Sequence, residues 1–341
     1  MSKQPLKFGI LATAIYGAET PPAQHLAEHR EMVQAAEQLG FSLFIAGQHF
    51  LGTELRYYQP VPYLAYLSTF APKMQVATGI ILLAMANPVD VAEQIATLDA
   101  VTGGKAIFGV GLGYSEREFR AFGVDSKSKV PRFETSIELI KQLWSGREVN
   151  HTSRFWTVEG VIPSVLPVQR PGPPIWIGGQ VAAAVKRAAR LGDVWYAPPF
   201  PSHTELAAMR ELFLQERRVH GLSTDGDFAV RREMIIANTR EEAKRLAEER
   251  NGLRYSIYKK WGLAGSNTPI DKGPQMNVEE QFILGTPGEC AEQLADLRKR
   301  LGMTHFVFKA HWQGLPHKDA MHQLERFGTE VIPAYRALTK D

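Results

Sequence analysis

A single cysteine, Cys290, stands among the 341 residues. One thiol cannot close an internal disulfide, so a reducing cytoplasm is the expected compartment. The thiol sits in the helix pattern "TPGECAEQLADL", where it reads as a packed small apolar group rather than a nucleophile. Long apolar runs are also missing. The longest are of strand length, well short of the roughly 20 residues a membrane helix needs. The opening "MSKQPLKFGIL" enters a strand pattern with no signal-peptide apolar region, which again fits a cytoplasmic protein. Nor does charge of one sign dominate. Lys plus Arg number 39, Asp plus Glu 36, and the two are mixed along the chain. That balance gives no electrostatic case for nucleic acid or an anionic membrane. The ten histidines form no H-E-x-x-H, and no metal is expected. His25 and His29 are spaced i, i+4 on what reads as a surface helix, so a solvated face is expected of them. No G-x-S-x-G elbow and no Walker loop appear, which leaves hydrolase and NTPase readings unsupported. "FGVGLGY" fails the dinucleotide fingerprint, because Tyr114 stands where its last glycine belongs.

What the chain does have is 44% apolar residues, arranged as short apolar runs alternating with amphipathic helix patterns. Eight runs read as strands: 7–14, 41–50, 74–84, 105–114, 173–179, 192–200, 228–237 and 304–312. Helix patterns fill the intervals, among them 22–39, 89–102, 133–144 and 182–192. Strands that are apolar on both faces and joined by helices fit a TIM (β/α)8 barrel, with a doubly wound sheet as the second choice. No linker and no internal repeat interrupts the pattern, so one domain over 1–341 is expected. Two stretches exceed ordinary connections. They are 145–172, rich in Gly and Pro, and 252–283, expected to be a mobile loop at the C-terminal face.

In such a barrel the active site lies at the C-terminal strand ends. That rule points to Thr13, Ala14 and Tyr16 after the first strand, and to Gln48, His49 and Phe50 after the second. Met85 and Asn87 follow the third, and Gly111, Gly113 and Tyr114 the fourth. Gly178, Gly179 and Gln180 follow the fifth. Trp195, Tyr196 and Pro198 belong to the sixth, and Lys309, His311 and Trp312 to the eighth. This mouth is aromatic and weakly polar. It fits a planar cofactor with an apolar or aromatic substrate, with Phe50, Met85 and Trp195 as pocket residues. Glycines in "FGVGLGY" let a flat ring or a neighbouring backbone come close, or serve tight barrel packing. The stretch "IWIGGQVAAAVKRAARLG" runs from strand through two glycines to a helix start. It offers N–H groups to an anion, or is a plain βα turn. Gly79 interrupts the third strand, where a glycine gives the core no side chain.

Taken together, these residues resemble the bacterial luciferase-like flavin monooxygenases. The resemblance rests on "GFSLFIAGQHF", on "VATGIILLAMANPVDVAEQIATLDAVTGGKAIFGVGLGYSEREFRAFGVD" and on "PVQRPGPPIWIGGQVAAAVKRAARLGD". "GTPGECAEQLADLRKRLG" and "FGTEVIPAYRAL" resemble the family's closing helices. The resemblance implies a TIM barrel that takes reduced FMN (FMNH2) from a separate NAD(P)H-dependent flavin reductase. It oxygenates its substrate with O2 through a flavin 4a-hydroperoxide, usually as a homodimer. It implies a non-prolyl cis peptide at Gly79–Ile80 under the flavin ring. It places the cofactor against Gly79, Ile80, Gly111, Gly113, Tyr114, Gly178, Gly179, Gln180 and Val181. Where the family pairs two histidines, this chain has Gln48 and His49, and these are the catalytic candidates. Gly111 replaces a reactive cysteine and Leu112 an arginine. Val181 and Ala184 stand where phosphate-binding hydroxyls are usual. Two alternatives remain open: a deazaflavin-dependent hydride-transfer enzyme on the same barrel, and a non-catalytic flavin-binding relative.

Overall fold

The computed structural model describes residues 4–12, 19–52, 55–260 and 277–340. Its centre is a closed barrel of eight parallel strand positions. These are β1 (Lys7–Leu11), β2 (Leu43–Ala46), β3 (Gln75–Thr78) continued by β4 (Ile81–Leu82), and β5 (Ala106–Gly111). β6 (Val149–Thr152) and β7 (Thr157–Val161) stand apart as an antiparallel hairpin. The barrel resumes with β8 (Ile175–Gly178), β9 (Val194–Ala197) and β10 (Ala229–Ile236). It closes through β12 (His305–Phe308), which pairs with both β10 and β1. The remaining strand, β11 (Phe282–Gly285), lies against the upper half of β10.

Period-two alternation decides what fills the lumen. Leu43, Ile45, Ala77, Ile107, Trp176, Val194, Ala229 and Val307 point inward and pack as one cluster. The alternate residues face the helices and join a larger outer core. Those helices are α1 (Pro22–Gln38), α2 (Pro60–Ser68), α3 (Pro88–Val101), α4 (Glu116–Ala121) and α5 (Lys129–Trp144). After them come α6 (Ala182–Leu191), α7 (His203–Val219), α8 (Arg240–Lys260), α9 (Pro287–Leu301), α10 (His317–Arg326) and α11 (Ile332–Thr339). Their starts are written locally. At α3, Pro88 fills the first turn, where its missing N–H is no loss, and the Asn87 side chain accepts from the Val89 N–H. Reciprocal capping boxes open α7 (Ser202 with Glu205) and α9 (Thr286 with Glu289). Among the described residues, no helix is long and apolar enough to cross a membrane.

The expected barrel and its eight strand positions are present, with three corrections. Part of 145–172 is not a loop but the β6–β7 hairpin, which stays outside the barrel. Stretch 252–283 is not one loop either. Its first residues continue α8, and Phe282 opens β11, while 261–276 lie outside the described residues. His25 and His29 do not form a solvated face, since both are buried, with their rings 4.6 Å apart. Thr13, Ala14 and Tyr16 also lie outside the described residues.

Candidate functional site

A cavity of about 360 Å³ opens at the C-terminal end of the barrel. One wall is backbone brought close by glycine. The Gly79–Ile80 peptide is cis, and it separates β3 from β4. A Cβ on Gly79 would stand 2.0 Å from Ile45 Cγ2, and one on Gly109 would stand 1.8 Å from the Thr78 carbonyl oxygen. Thr78 Oγ1 clasps Gly109 from the side, donating to its carbonyl and accepting from its N–H, both at 2.8 Å. Gly111 has a third reason to be bare, because a Cβ there would meet Ile80 Cδ1 at 2.0 Å. Gly111 therefore lies under the Ile80 side chain, and Ile80, not Gly111, faces the cavity. Gly113, at φ +80°, completes this wall in a conformation that suits glycine.

Opposite the helix side, Gly178, Gly179, Gln180 and Val181 line the cavity where β8 passes into α6. Gly179 has no room for a side chain, since a Cβ would come within 2.5 Å of Ala184 Cβ. Val181 occupies the N-cap without a side-chain cap. The first-turn N–H groups and the positive end of the helix therefore depend on backbone alone to meet an anion. Trp195 steadies this turn from behind, with its indole N–H donating 2.9 Å to the Gly179 carbonyl.

The third side is polar. His49 Nδ1 lies 3.2 Å from Glu118 Oε1, and its Nε2 lies 3.4 Å from the Tyr114 hydroxyl. Glu118 is buried on α4, and the same oxygen accepts the Phe50 N–H at 2.7 Å. With Nδ1–H donating to the carboxylate, Nε2 is left to accept from Tyr114. Tyr57 packs edge-on against the His49 ring at 5.0 Å. Gln48 is spoken for at both ends: its amide nitrogen donates to Gln59 Oε1 (2.7 Å), and its oxygen accepts the Leu82 N–H (2.8 Å). Tyr196 also faces in, and burial pushes its hydroxyl up to about 12 despite the neighbouring Arg231. Burial thus keeps the hydroxyl protonated, as a hydrogen-bond donor.

Of the residues expected from sequence, Gln48, His49, Gly79, Ile80, Gly113, Tyr114, Gly178, Gly179, Gln180 and Val181 all line this one cavity. The three expected pocket residues do not. Trp195 points outward and stacks on Phe228 at 5.3 Å, while its neighbour Tyr196 takes the inward position. Met85 is buried behind Gly113. Phe50 packs edge-on against Phe122. Glu118, Gln59 and Arg231 were not singled out from sequence as site residues. Glu118 reaches His49 across 69 positions, and no local pattern announces such a contact. Among the described residues no cluster of His, Cys, Asp or Glu is arranged to hold a metal.

A parallel barrel thus carries, at the C-terminal end where such barrels place their sites, one cavity walled by glycine backbone, by a helix N-terminus and by a His49 held on the buried carboxylate of Glu118. The sequence profile of the luciferase-like monooxygenases matches residues 6–305, and the chain belongs to that family. It is 25% identical to an FMNH2-dependent dimethylsulfone monooxygenase of Pseudomonas putida, over 99% of this chain and 97% of that one. It is 27% identical to an F420-dependent glucose-6-phosphate dehydrogenase of Kineococcus radiotolerans, over 98% of each. Its fold matches that of the monooxygenase RslO1 from Streptomyces bottropensis. That match has a TM-score of 0.85 at 22% identity, and covers 97% of this chain and 100% of the other.

Proposed function

We propose that this chain is the oxygenase of a two-component system. It would take reduced FMN from a separate NAD(P)H-dependent flavin reductase and use O2 to oxygenate a small substrate with an apolar or aromatic body. The observation that carries this reading is the cavity itself, where a flat glycine wall, an uncapped helix terminus and His49 converge. The residues fit a flavin mononucleotide. The planar ring would lie against Gly79–Ile80 and Gly113, and the phosphate would meet the α6 terminus at Gly178–Val181. Bound reduced FMN supplies the reaction with O2, which no amino-acid side chain can.

The protein's own groups then have separable tasks. Glu118 fixes the His49 ring and its tautomer, so that Nε2 can accept a proton by way of the Tyr114 hydroxyl. Gln48 has no basic nitrogen and both its ends are engaged, so it positions the β4 segment rather than moving protons. Leu112, Tyr57 and Phe200 line the cavity with carbon and reduce water at the ring. The reading carries with it a homodimer and a reducing compartment, the latter supported by the lone buried thiol of Cys290.

A second reading is a deazaflavin-dependent hydride-transfer enzyme. It is favoured by the F420-dependent relative. One experiment separates the two. The protein is titrated anaerobically with reduced FMN and with reduced deazaflavin, and O2 uptake and flavin-dependent product are then followed. Binding of reduced FMN in the anaerobic titration is expected, followed on admitting O2 by an oxygenated product that free reduced FMN does not give. Tight deazaflavin binding with no affinity for reduced FMN would overturn the proposal, and flavin binding without turnover of any substrate would point to a non-catalytic relative.

A further inference from the structure

The Gln48 side chain makes two hydrogen bonds, and the backbone dictates which way round they run. The Leu82 N–H stands 2.8 Å from one end of its amide. A backbone N–H can only donate, so that end is the carbonyl oxygen. The other end is therefore Nε2, which donates to Gln59 Oε1 at 2.7 Å. Gln59 passes the same direction on. Its Nε2 donates over 3.4 Å to the His49 backbone carbonyl, which can only accept. A peptide donor at one end and a peptide acceptor at the other thus lock both amides in one orientation.

The surrounding elements place these parts. Gln48 follows the C-terminal end of β2, Leu82 ends β4 just past the cis peptide, and Gln59 is the N-cap residue of α2. Gln59 makes no side-chain cap there, and its amide turns to Gln48 instead.

An amide nitrogen carries two hydrogens. Only one of those on Gln48 is used, since among the described residues its Nε2 makes no hydrogen bond besides that to Gln59. Gln48 is half-buried and lines the cavity, on the polar side with His49 and Tyr114. It therefore offers the cavity a neutral N–H and withholds its carbonyl, which is turned to Leu82. A histidine here would present a donor or an acceptor according to its tautomer, whereas the locked amide presents only a donor.

The other two walls are taken on the flavin reading, by the ring at Gly79–Ile80 and Gly113 and by the phosphate at the α6 terminus. We infer that the second Nε2–H of Gln48 is a substrate-binding donor, and that the substrate carries a neutral acceptor oxygen of the carbonyl type beside its apolar body. The inference rests on the flavin reading for where the ring lies. A donor buried by a ligand that offers it no acceptor weakens the complex. The N–H thus discriminates against a molecule of the same shape that lacks the oxygen.

The test compares acetophenone with α-methylstyrene, which has the same shape with a methylene in place of the carbonyl oxygen. Both are titrated anaerobically into the full chain, with and without reduced FMN. The readouts are the ratio of the two affinities and the carbonyl stretching band of bound acetophenone. In the unaltered protein that band is expected at lower frequency than in an alkane solvent, the mark of a hydrogen bond to the oxygen. Gln48→Met has similar length and no donor. It is expected to remove the shift and to lower the acetophenone to α-methylstyrene affinity ratio about tenfold, with α-methylstyrene held within about twofold. Should that variant lose α-methylstyrene as well, Gln48→Glu serves, because it keeps an acceptor for the Leu82 N–H and has no N–H of its own. It is expected to lower the ratio equally.

Failure of acetophenone to bind the unaltered protein, or an unshifted band when bound, would overturn the inference, and neither reading needs a variant to fold. A shift and a ratio that survive in the variant would also overturn it, since another donor, such as the Tyr196 hydroxyl, would then hold the oxygen. A loss confined to reduced-FMN affinity would assign the donor to a flavin carbonyl and again overturn it. The flavin reading fails on a different readout, absence of reduced-FMN binding, and the comparison made without flavin still judges the donor.

Discussion

At His49 the two ring nitrogens face different chemistry. Nδ1 meets a buried carboxylate and Nε2 meets a phenol at the cavity. General acid–base groups contribute typically about 10²–10⁴-fold to a rate. His49→Ala is expected to lower kcat within that range. Glu118→Gln keeps the shape but takes the charge from behind Nδ1. It should lower kcat by about tenfold or more and shift the pH–rate profile, while reduced-FMN affinity stays within about twofold. An unchanged pH profile would count against the relay. Gly109 tests the glycine wall. Its missing Cβ would sit 1.8 Å from the Thr78 carbonyl oxygen, a backbone atom that cannot turn aside. Gly109→Ala should cost about 1–3 kcal/mol or more by overpacking, read as a drop of several degrees in Tm. At this scale the sequence was legible where position along a strand decides whether a residue reaches the cavity, as for His49 and Gly178–Val181. It failed at Trp195 and Tyr196. Two adjacent aromatics on one strand both fit either face, and only packing against Phe228 shows which one leaves the lumen. It also failed at Glu118, which looks like any helix-surface acid until the fold brings it to His49.

Among the elements, α6 offers the cleanest test, because its N-cap is Val181 and makes no side-chain cap. Val181→Ser supplies the missing acceptor and should stabilise the protein by about 0.5–2 kcal/mol with FMN binding retained. Val181→Asp should stabilise the helix similarly, yet set a negative charge where the phosphate is expected. It should weaken FMN at least tenfold and leave riboflavin, which lacks the phosphate, unaffected. Equal losses for both flavins would show that the phosphate is not held there. The barrel strands were readable because strands covered on both faces are apolar throughout. The β6–β7 hairpin was not, since its residues are largely exposed and carry no apolar alternation. β11 was hidden because four residues of strand are too few for a period to show, and its partner is the far half of a strand already assigned.

The whole molecule carries a pH dependence in its buried histidines. Burial, with Arg56 nearby, lowers His25 to about 4. Burial, with Lys309 nearby, lowers His311 to about 4, and burial lowers His203 to about 3. His29 lies well below its usual value, through burial and then the neighbouring histidines. Each is held neutral in the folded state and takes up a proton more readily when unfolded. The unfolded chain thus binds more protons as pH falls below about 6.5, and the stability these groups confer is full above that pH and is lost toward pH 4. Thermal unfolding between pH 7.5 and 4.5 should show a falling Tm, and His29→Phe should flatten the slope. The expectation that His25 and His29 faced solvent was drawn from a helix that reads as a surface helix. Helix spacing fixes which residues share a face, but not which face the barrel covers.

The forked pairing of β10 has its own consequence. Its lower half closes the barrel with β9 and β12, while its upper half holds β11, and the chain between Ile236 and Phe282 leaves and rejoins the same strand. An excursion anchored at both ends on one rod can grow or shrink without moving the rod. The entropic penalty of a longer loop rises only logarithmically. The chain between the two anchors is thus free to vary in length and composition among descendants while the barrel keeps its register. A lineage can rework that excursion without rebuilding the barrel beneath.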